Sequence, residues 1–308
     1  MSGKDWLSLI LLSVLWGGSF FFVSVAVPWL PPLTIVLIRV GLAALVLALA
    51  LPALGVALPR GRAVWAALMV MGFLNNVVPF SLYVVAQGQI SSGLASILNA
   101  TTPLWGVAVA HLATQDERLS WPKALGVLTG FLGVAVMMGQ AGDGGTFWAQ
   151  AACLCAALSY ALAGVWARRF KPLGLAPLSL ALGQLACATL MLVPLVALVD
   201  RPWTLALPPL PVIAALLGLA VLSTSFAYGL YFRLIASAGA VNAFLVTFLV
   251  PVSAVALGIA FLGEALAPRQ VAGMALIALG LLILDGRLWR RVRTRGGRLP
   301  PLDTPEDI

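Results

Sequence analysis

Ten apolar runs, each long enough to cross a bilayer, follow one another through the chain: residues 6–27, 33–53, 63–85, 91–113, 121–139, 146–168, 176–198, 210–233, 239–262 and 268–286. A helix spanning the hydrocarbon core needs about 20 predominantly apolar residues. Inside lipid every backbone N–H and C=O must be satisfied by the protein itself, so spanning segments are helices or closed barrels. These runs are continuous rather than alternating, which predicts helices and not barrel strands. The connections are short and rich in Pro or Gly, as in Pro28-Trp29-Leu30-Pro31-Pro32, and leave no room for a water-soluble domain. Composition agrees, since only 9% of residues are charged, against about 25% in a soluble domain. The expected fold class is an all-α integral membrane protein of ten transmembrane helices. The first run, Trp6 to Val27, exceeds the core of about 7–15 residues in a signal peptide and reads as a retained span.

The runs are not independent of one another. Pro103 and Pro251 are 148 apart, as are Leu82-Tyr83 and Leu230-Tyr231. Glu117 and Glu264 are 147 apart, and so are the glycines of each pair Gly126/Gly273, Gly133/Gly280 and Gly139/Gly286. A single one-residue gap reconciles two copies of one pattern, the signature of an internal repeat. Each copy holds five spans, an odd number, so the second enters the membrane upside down. The expected organisation is a first five-helix repeat over 1–142, an inverted second repeat over 143–287, and a basic tail over 288–308. Inverted repeats are characteristic of secondary transporters, with substrate held near the midplane where the repeats meet.

Orientation follows from Lys and Arg. With loops numbered alternately from the N-terminus, one side carries fifteen basic residues and the other only Arg201 and Arg269, while Arg39 lies within the second span. The positive-inside rule makes the rich side cytoplasmic, with both termini there. The net charge of +8 is thus a topology signal and an anionic-lipid contact, not a nucleic-acid site. Cys153, Cys155 and Cys187 lie in apolar runs and form no disulfide or zinc pattern. With one histidine, His111, and no phosphate-binding loop, neither a metal site nor ATP drive is expected. No cofactor is called for, and no nucleophile–base arrangement suggests an enzyme.

Trp16-Gly17-Gly18-Ser19-Phe20 on the first span, Arg39 on the second, the mid-span prolines, and Glu-x-Leu-Ser/Ala followed by a glycine ladder in both halves carry a family likeness. Over about residues 5–287 the chain resembles the drug/metabolite transporter superfamily, in its EamA-type ten-helix branch. The resemblance implies export of amino acids and related metabolites, as in the similar bacterial aromatic amino-acid exporters, across an inner membrane. Other members move drugs, sugars or nucleotide-sugars, and those readings stay open. A flippase or membrane enzyme acting on lipid-linked substrates is a further alternative.

Candidate substrate contacts are the polar and aromatic residues within spans, which are costly there and face the bundle interior. Asn75, Pro79 and Tyr83 recur every four residues on the third span, beside Asn76 and Phe80. Ser223, Ala227 and Tyr231, flanked by Thr224 and Tyr228, are their counterparts on the eighth. Asn99 and Pro103 on the fourth span answer to Thr247 and Pro251 on the ninth. Trp16 has Tyr160 opposite it, and Arg39 has Gln184, so a shared cavity would be chemically asymmetric. Trp105 completes the expected aromatic wall. Arg39 holds a substrate carboxylate, caps carbonyls or snorkels; the sequence leaves the three open. The glycine ladders read as packing seams, within the chain or in a homodimer. The expected partners are a small-molecule substrate and membrane lipid.

Overall fold

The computed structural model describes residues 2–113, 121–138, 144–243 and 245–285. Glu117, Phe244, Gly139, Gly286 and the basic tail lie outside the described residues. All regular structure among the described residues is helical. Seven helices are long and apolar enough to cross a membrane: α1 (Gly3–Ala26), α2 (Pro32–Ala53), α3 (Arg62–Gln87), α4 (Ser92–Ala113), α6 (Thr146–Leu173), α7 (Pro177–Val199) and α8 (Leu210–Ala238). Three shorter apolar helices are α5 (Trp121–Met138), α9 (Val246–Leu262) and α10 (Pro268–Asp285).

The helix starts are written locally. The Ser2 hydroxyl accepts from the Asp5 amide at 3.2 Å while the Asp5 carboxylate accepts from the Ser2 amide at 2.8 Å, a capping box. Pro32, Pro177 and Pro268 open α2, α7 and α10, where a missing N–H costs nothing. Two further starts are capped from far away in the sequence. Asp200, just after α7, accepts from the Thr34 amide and hydroxyl at 2.7 and 2.8 Å. Glu264, between α9 and α10, accepts from the Ser92 amide at 2.7 Å, the Ser92 hydroxyl at 2.9 Å and the Gly93 amide at 3.0 Å. Each carboxylate meets the positive end of a helix in the other half of the chain.

Packing is reciprocal between the halves. Helix α1 lies against α8 and α9, as α6 lies against α3 and α4; α2 packs on α7 and α5 on α10. The glycine ladders face each other across this last contact. A Cβ added at Gly126 would stand 2.9 Å from the Gly280 oxygen, and one at Gly133 would stand 2.7 Å from the Gly273 oxygen. The ladders are therefore a seam inside one chain, and the homodimer suggested for these faces would have to use other surfaces. Gly17 plays the same part for α1 and α9, since a Cβ there would meet the Ala254 amide nitrogen at 2.8 Å.

Departures from regular α geometry in α3, α8 and α4 shape the interior. Residues Phe73–Val77 of α3 and Gly218–Phe226 of α8 form π-helical turns, at equivalent positions in the two halves. In α3, Pro79 cannot donate back along the helix, and the Leu74 carbonyl accepts instead from the Ser159 hydroxyl at 2.7 Å. Helix α8 has Ala227 at that place; there the Thr224 and Ser225 hydroxyls bond the Leu219 and Ala220 carbonyls at 2.8 and 3.0 Å. Helix α4 is two segments, Ser92–Asn99 and Thr102–Ala113. Pro103, a mid-span proline, is thus the second residue of a new segment rather than an interruption within a continuous helix. Pro251 does lie inside α9.

Candidate functional site

Two hydrophobic cores meet along the centre of the bundle, and Tyr160 packs against both. Between them lies a cavity of about 540 Å³, within the range of sites that enclose a small organic molecule. It runs from Val23 and Gln87 at one end to Ala167, Phe232 and Ile235 at the other, nearly the length of a span. Val23, Val84 and Gln87 are buried, whereas Ala167, Phe232 and Ile235 are half-buried. The lining is thus more deeply buried at the Gln87 end than at the Ile235 end, which lies near Arg168, Arg169, Lys171 and Arg233 in the sequence.

The cavity brings most of the expected residues together. Trp16, Arg39, Asn75, Tyr83, Asn99, Tyr160, Gln184, Ser223, Tyr228, Tyr231 and Thr247 all line it. The amide of Asn75 donates to Gln184 Oε1 at 3.0 Å and lies 3.4 Å from the Tyr228 hydroxyl, which ties α3, α7 and α8 into one network. The Tyr83 hydroxyl donates to Asn99 Oδ1 at 2.9 Å, fixing the last residue of the first α4 segment. The Arg39 Nε–H donates to Thr224 Oγ1 at 3.1 Å, and its guanidinium lies 3.6 Å from the centroid of the Phe80 ring, a cation–π contact. Aromatic rings continue from there: Tyr228 to Phe232 at 6.1 Å, Phe232 to Tyr231 at 5.6 Å and Tyr231 to Trp16 at 5.1 Å.

Asn76, Pro79, Pro103, Trp105 and Pro251, all expected in the wall, lie outside the lining. The reason for the first two is the π turn. A stripe drawn at every fourth residue from Asn75 reaches Pro79, but the extra residue in the turn advances the face by one position. Phe80 then takes the lining position and Asn76 is driven into the packing, fully buried, with its amide making no hydrogen bond of ordinary length and angle. The same shift puts Tyr228 rather than Ala227 on the cavity side of α8. Pro103 heads its segment of α4, away from the lining, and Pro251 faces a separate apolar crevice of about 250 Å³ between α4, α9 and α10. Trp105 is turned toward α5, its ring 4.8 Å from that of Phe131.

Phe20, Gln87, Thr102, Phe232 and Ile235 line the cavity without having been singled out. Their signal was available in the repeat offset. Gln87 and Ile235, Val84 and Phe232, and Thr102 and Val250 are each 148 apart, the spacing of Tyr83 and Tyr231. Dissimilar chemistry across each pair hid them. Trp6, Trp29, Trp121, Trp148 and Trp203 are 48–84% exposed and sit near helix ends, as an interfacial belt requires. Cys153 and Cys187 are buried.

A polar and aromatic cavity enclosed by apolar membrane-spanning helices defines a membrane transporter. The sequence profile of the EamA-like transporter family matches the chain twice, over residues 5–139 and 147–284; the chain belongs to this family. It is 25% identical to the uncharacterized inner membrane transporter YedA of Escherichia coli (strain K12), over 90% of this chain and 89% of that one. It is also 25% identical to the probable terminal-alkyne amino-acid exporter of Streptantibioticus cattleyicolor, over 93% and 95%, and 26% identical to protein PecM of Dickeya dadantii, over 88% of each. A solved crystal structure superposes with a TM-score of 0.67 at 18% identity, covering 94% of this chain and 99% of the other, a likeness of fold. Relatives named as transporters place the protein among carriers rather than enzymes.

Proposed function

We propose that the protein is an alternating-access carrier that exports amino acids and related small metabolites across a bacterial inner membrane. Its moving parts are two inverted five-helix halves, residues 1–142 and 143–287, with both termini and the basic tail cytoplasmic. The observation that carries this reading is the pairing of the cavity wall. Trp16 and Tyr160, Arg39 and Gln184, Asn75 and Ser223, Phe80 and Tyr228, Tyr83 and Tyr231, and Asn99 and Thr247 are equivalent positions, and both members of every pair line one cavity. The repeat interface is where such carriers hold substrate. The reciprocal crossing of α5 and α10, and the double match of the family profile, support the same arrangement.

The cavity opens at the arginine-rich end, so this state reads as inward-facing. Glu264 on the α4 start and the Ser24 hydroxyl bonded to Gln87 Oε1 at 3.2 Å hold the far end shut. Amino acid as substrate draws its support from the size and mixed character of the cavity, and from the exporter among the relatives. The test is efflux from proteoliposomes preloaded with labelled amino acids. Protein-containing vesicles should lose at least one of them several-fold faster than empty vesicles, and Asn75→Ala or Asn99→Ala should slow that loss. Equal rates with and without protein, for all twenty, would sink the reading.

A further inference from the structure

Among the described residues Arg39 is the single charged side chain in the cavity wall, and its surroundings suit it to a ligand rather than to a structural task. Its Nε–H is committed to Thr224 Oγ1, whose own proton goes to the Leu219 carbonyl. The Phe80 ring beneath fixes the guanidinium plane at 3.6 Å. Among the described residues no carboxylate pairs with it, and neither terminal nitrogen makes a hydrogen bond. That leaves the fork that matches a carboxylate with two parallel N–H···O bonds. Beside Thr224, the Ser223 hydroxyl lines the same cavity; it is 1% exposed and has no hydrogen-bond partner. It is a third donor for the same ligand.

Groups able to receive an ammonium are neutral by comparison. Among the described residues no Asp or Glu lines the cavity. The Gln184 and Asn99 side-chain oxygens already accept from Asn75 and Tyr83. An ammonium on the carbon next to a bound carboxylate would lie close to Arg39, a like charge in a poorly solvated site, where repulsion is weakly screened. An apolar arm, in contrast, finds the ring series from Tyr228 through Phe232 and Tyr231 to Trp16 leading away from the guanidinium.

We infer that the cavity is a receptor for organic monocarboxylates with an apolar arm, the carboxylate on the Arg39 fork and the Ser223 hydroxyl, with an α-ammonium adding nothing to affinity. The inference rests on the carrier reading and names its substrate class: arylalkanoates and aliphatic carboxylic acids, with amino acids accepted through the carboxylate they share. Binding also removes the electrostatic obstacle to closure. An unpaired guanidinium resists being sealed from water, and a bound carboxylate neutralises it.

The experiment is calorimetric titration of the purified full-length protein in lipid nanodiscs with four probes of matched ring and chain. They are 3-phenylpropionate, phenylalanine, 3-phenylpropionamide and phenethylamine. The acid should bind about tenfold or more tightly than the amide and the amine, as charge-assisted bonds require, and phenylalanine no more tightly than the acid. Arg39→Gln should remove the advantage of the acid and leave the amide unchanged, which also shows that the variant is folded. If Arg39→Gln does not fold, the four-probe order on the unaltered protein decides. Equal binding of acid and amide, tighter binding of phenylalanine or phenethylamine than of the acid, unaltered acid affinity in Arg39→Gln, or binding of none of the four would overturn the inference. The carrier reading is judged separately: labelled phenylalanine that crosses vesicles while the acid fails to bind leaves the carrier standing and this inference fallen. Acid that binds as expected while nothing crosses does the reverse.

Discussion

The two ends of the cavity are made from paired positions of the sequence and differ in burial. Val23, Val84 and Gln87 are buried at the end read as closed; Ala167, Phe232 and Ile235, 144 or 148 residues further on, are half-buried at the end read as open. The chain entering the membrane differs in the same sense. At the closed end α4 begins with an eight-residue segment, Ser92–Asn99, whose first amides are held by Glu264. At the open end the corresponding stretch before α9 is a single turn, Ala240–Ala243, preceded by Gly239 at φ +82°. Equivalent sequence in unequal conformation is what a carrier of two inverted halves needs, because exchanging the two conformations exchanges the open end. The pairs also differ chemically: Gln87 carries an amide that bonds Ser24, and Ile235 carries none.

Removing the carboxylate at the closed end should have the largest effect on this contrast. Glu264→Ala strips two amides and a hydroxyl of a charged acceptor. At about 1.5–3 kcal/mol for a hydrogen bond to a charged group, the closed end loses enough to shift a two-state balance more than tenfold. Maleimide labelling of Val23→Cys from the Gln87 side, in a chain whose three native cysteines are replaced, should rise accordingly. Unchanged labelling would show that Glu264 does not hold that end.

Next in size is the fulcrum that both ends share. Gly133→Ala forces a Cβ to within 2.8 Å of the Ile277 amide nitrogen, where only backbone could yield. A loss of about 1–3 kcal/mol is expected, read as a lower unfolding temperature in detergent, with labelling of Val23→Cys unmoved. A change in labelling instead would mean that the α5–α10 seam biases one end. A smaller effect is expected from Asn75→Ala, which leaves Gln184 Oε1 without its donor. About 1 kcal/mol should appear as a several-fold rise in KM for efflux with little change in stability. Gly41→Ala is the baseline. Its Cβ would rest 3.6 Å from Thr189 Cγ2, ordinary contact on the line where α2 meets α7, and neither unfolding temperature nor efflux should move beyond about 0.5 kcal/mol.

Much of the wall was readable because polar and aromatic side chains are expensive in lipid and stand out against it. Trp16, Arg39, Tyr83 and Tyr231 were visible for that reason. A four-residue period from Asn75 points to Pro79, with Asn76 beside it, and the π turn over Phe73–Val77 breaks that period. Part of what accommodates the turn is distant: the Leu74 carbonyl, left without a donor by Pro79, accepts from the Ser159 hydroxyl, 85 residues away. Pro103 and Pro251 show a related limit of pattern, since a proline near the start of a segment and one inside a helix look alike in a sequence.

The helical, membrane-embedded class of the protein and the chemical inventory of its interior are written in the sequence. Those follow from solvation cost, which acts residue by residue. Only the tertiary structure decided which face of each helix meets the cavity and which end of the cavity is closed. It alone made Glu264 a cap on a helix 172 residues away and set the two glycine ladders against one another. Those are outcomes of competition between contacts distant along the chain, in which no residue's own solvation decides the result.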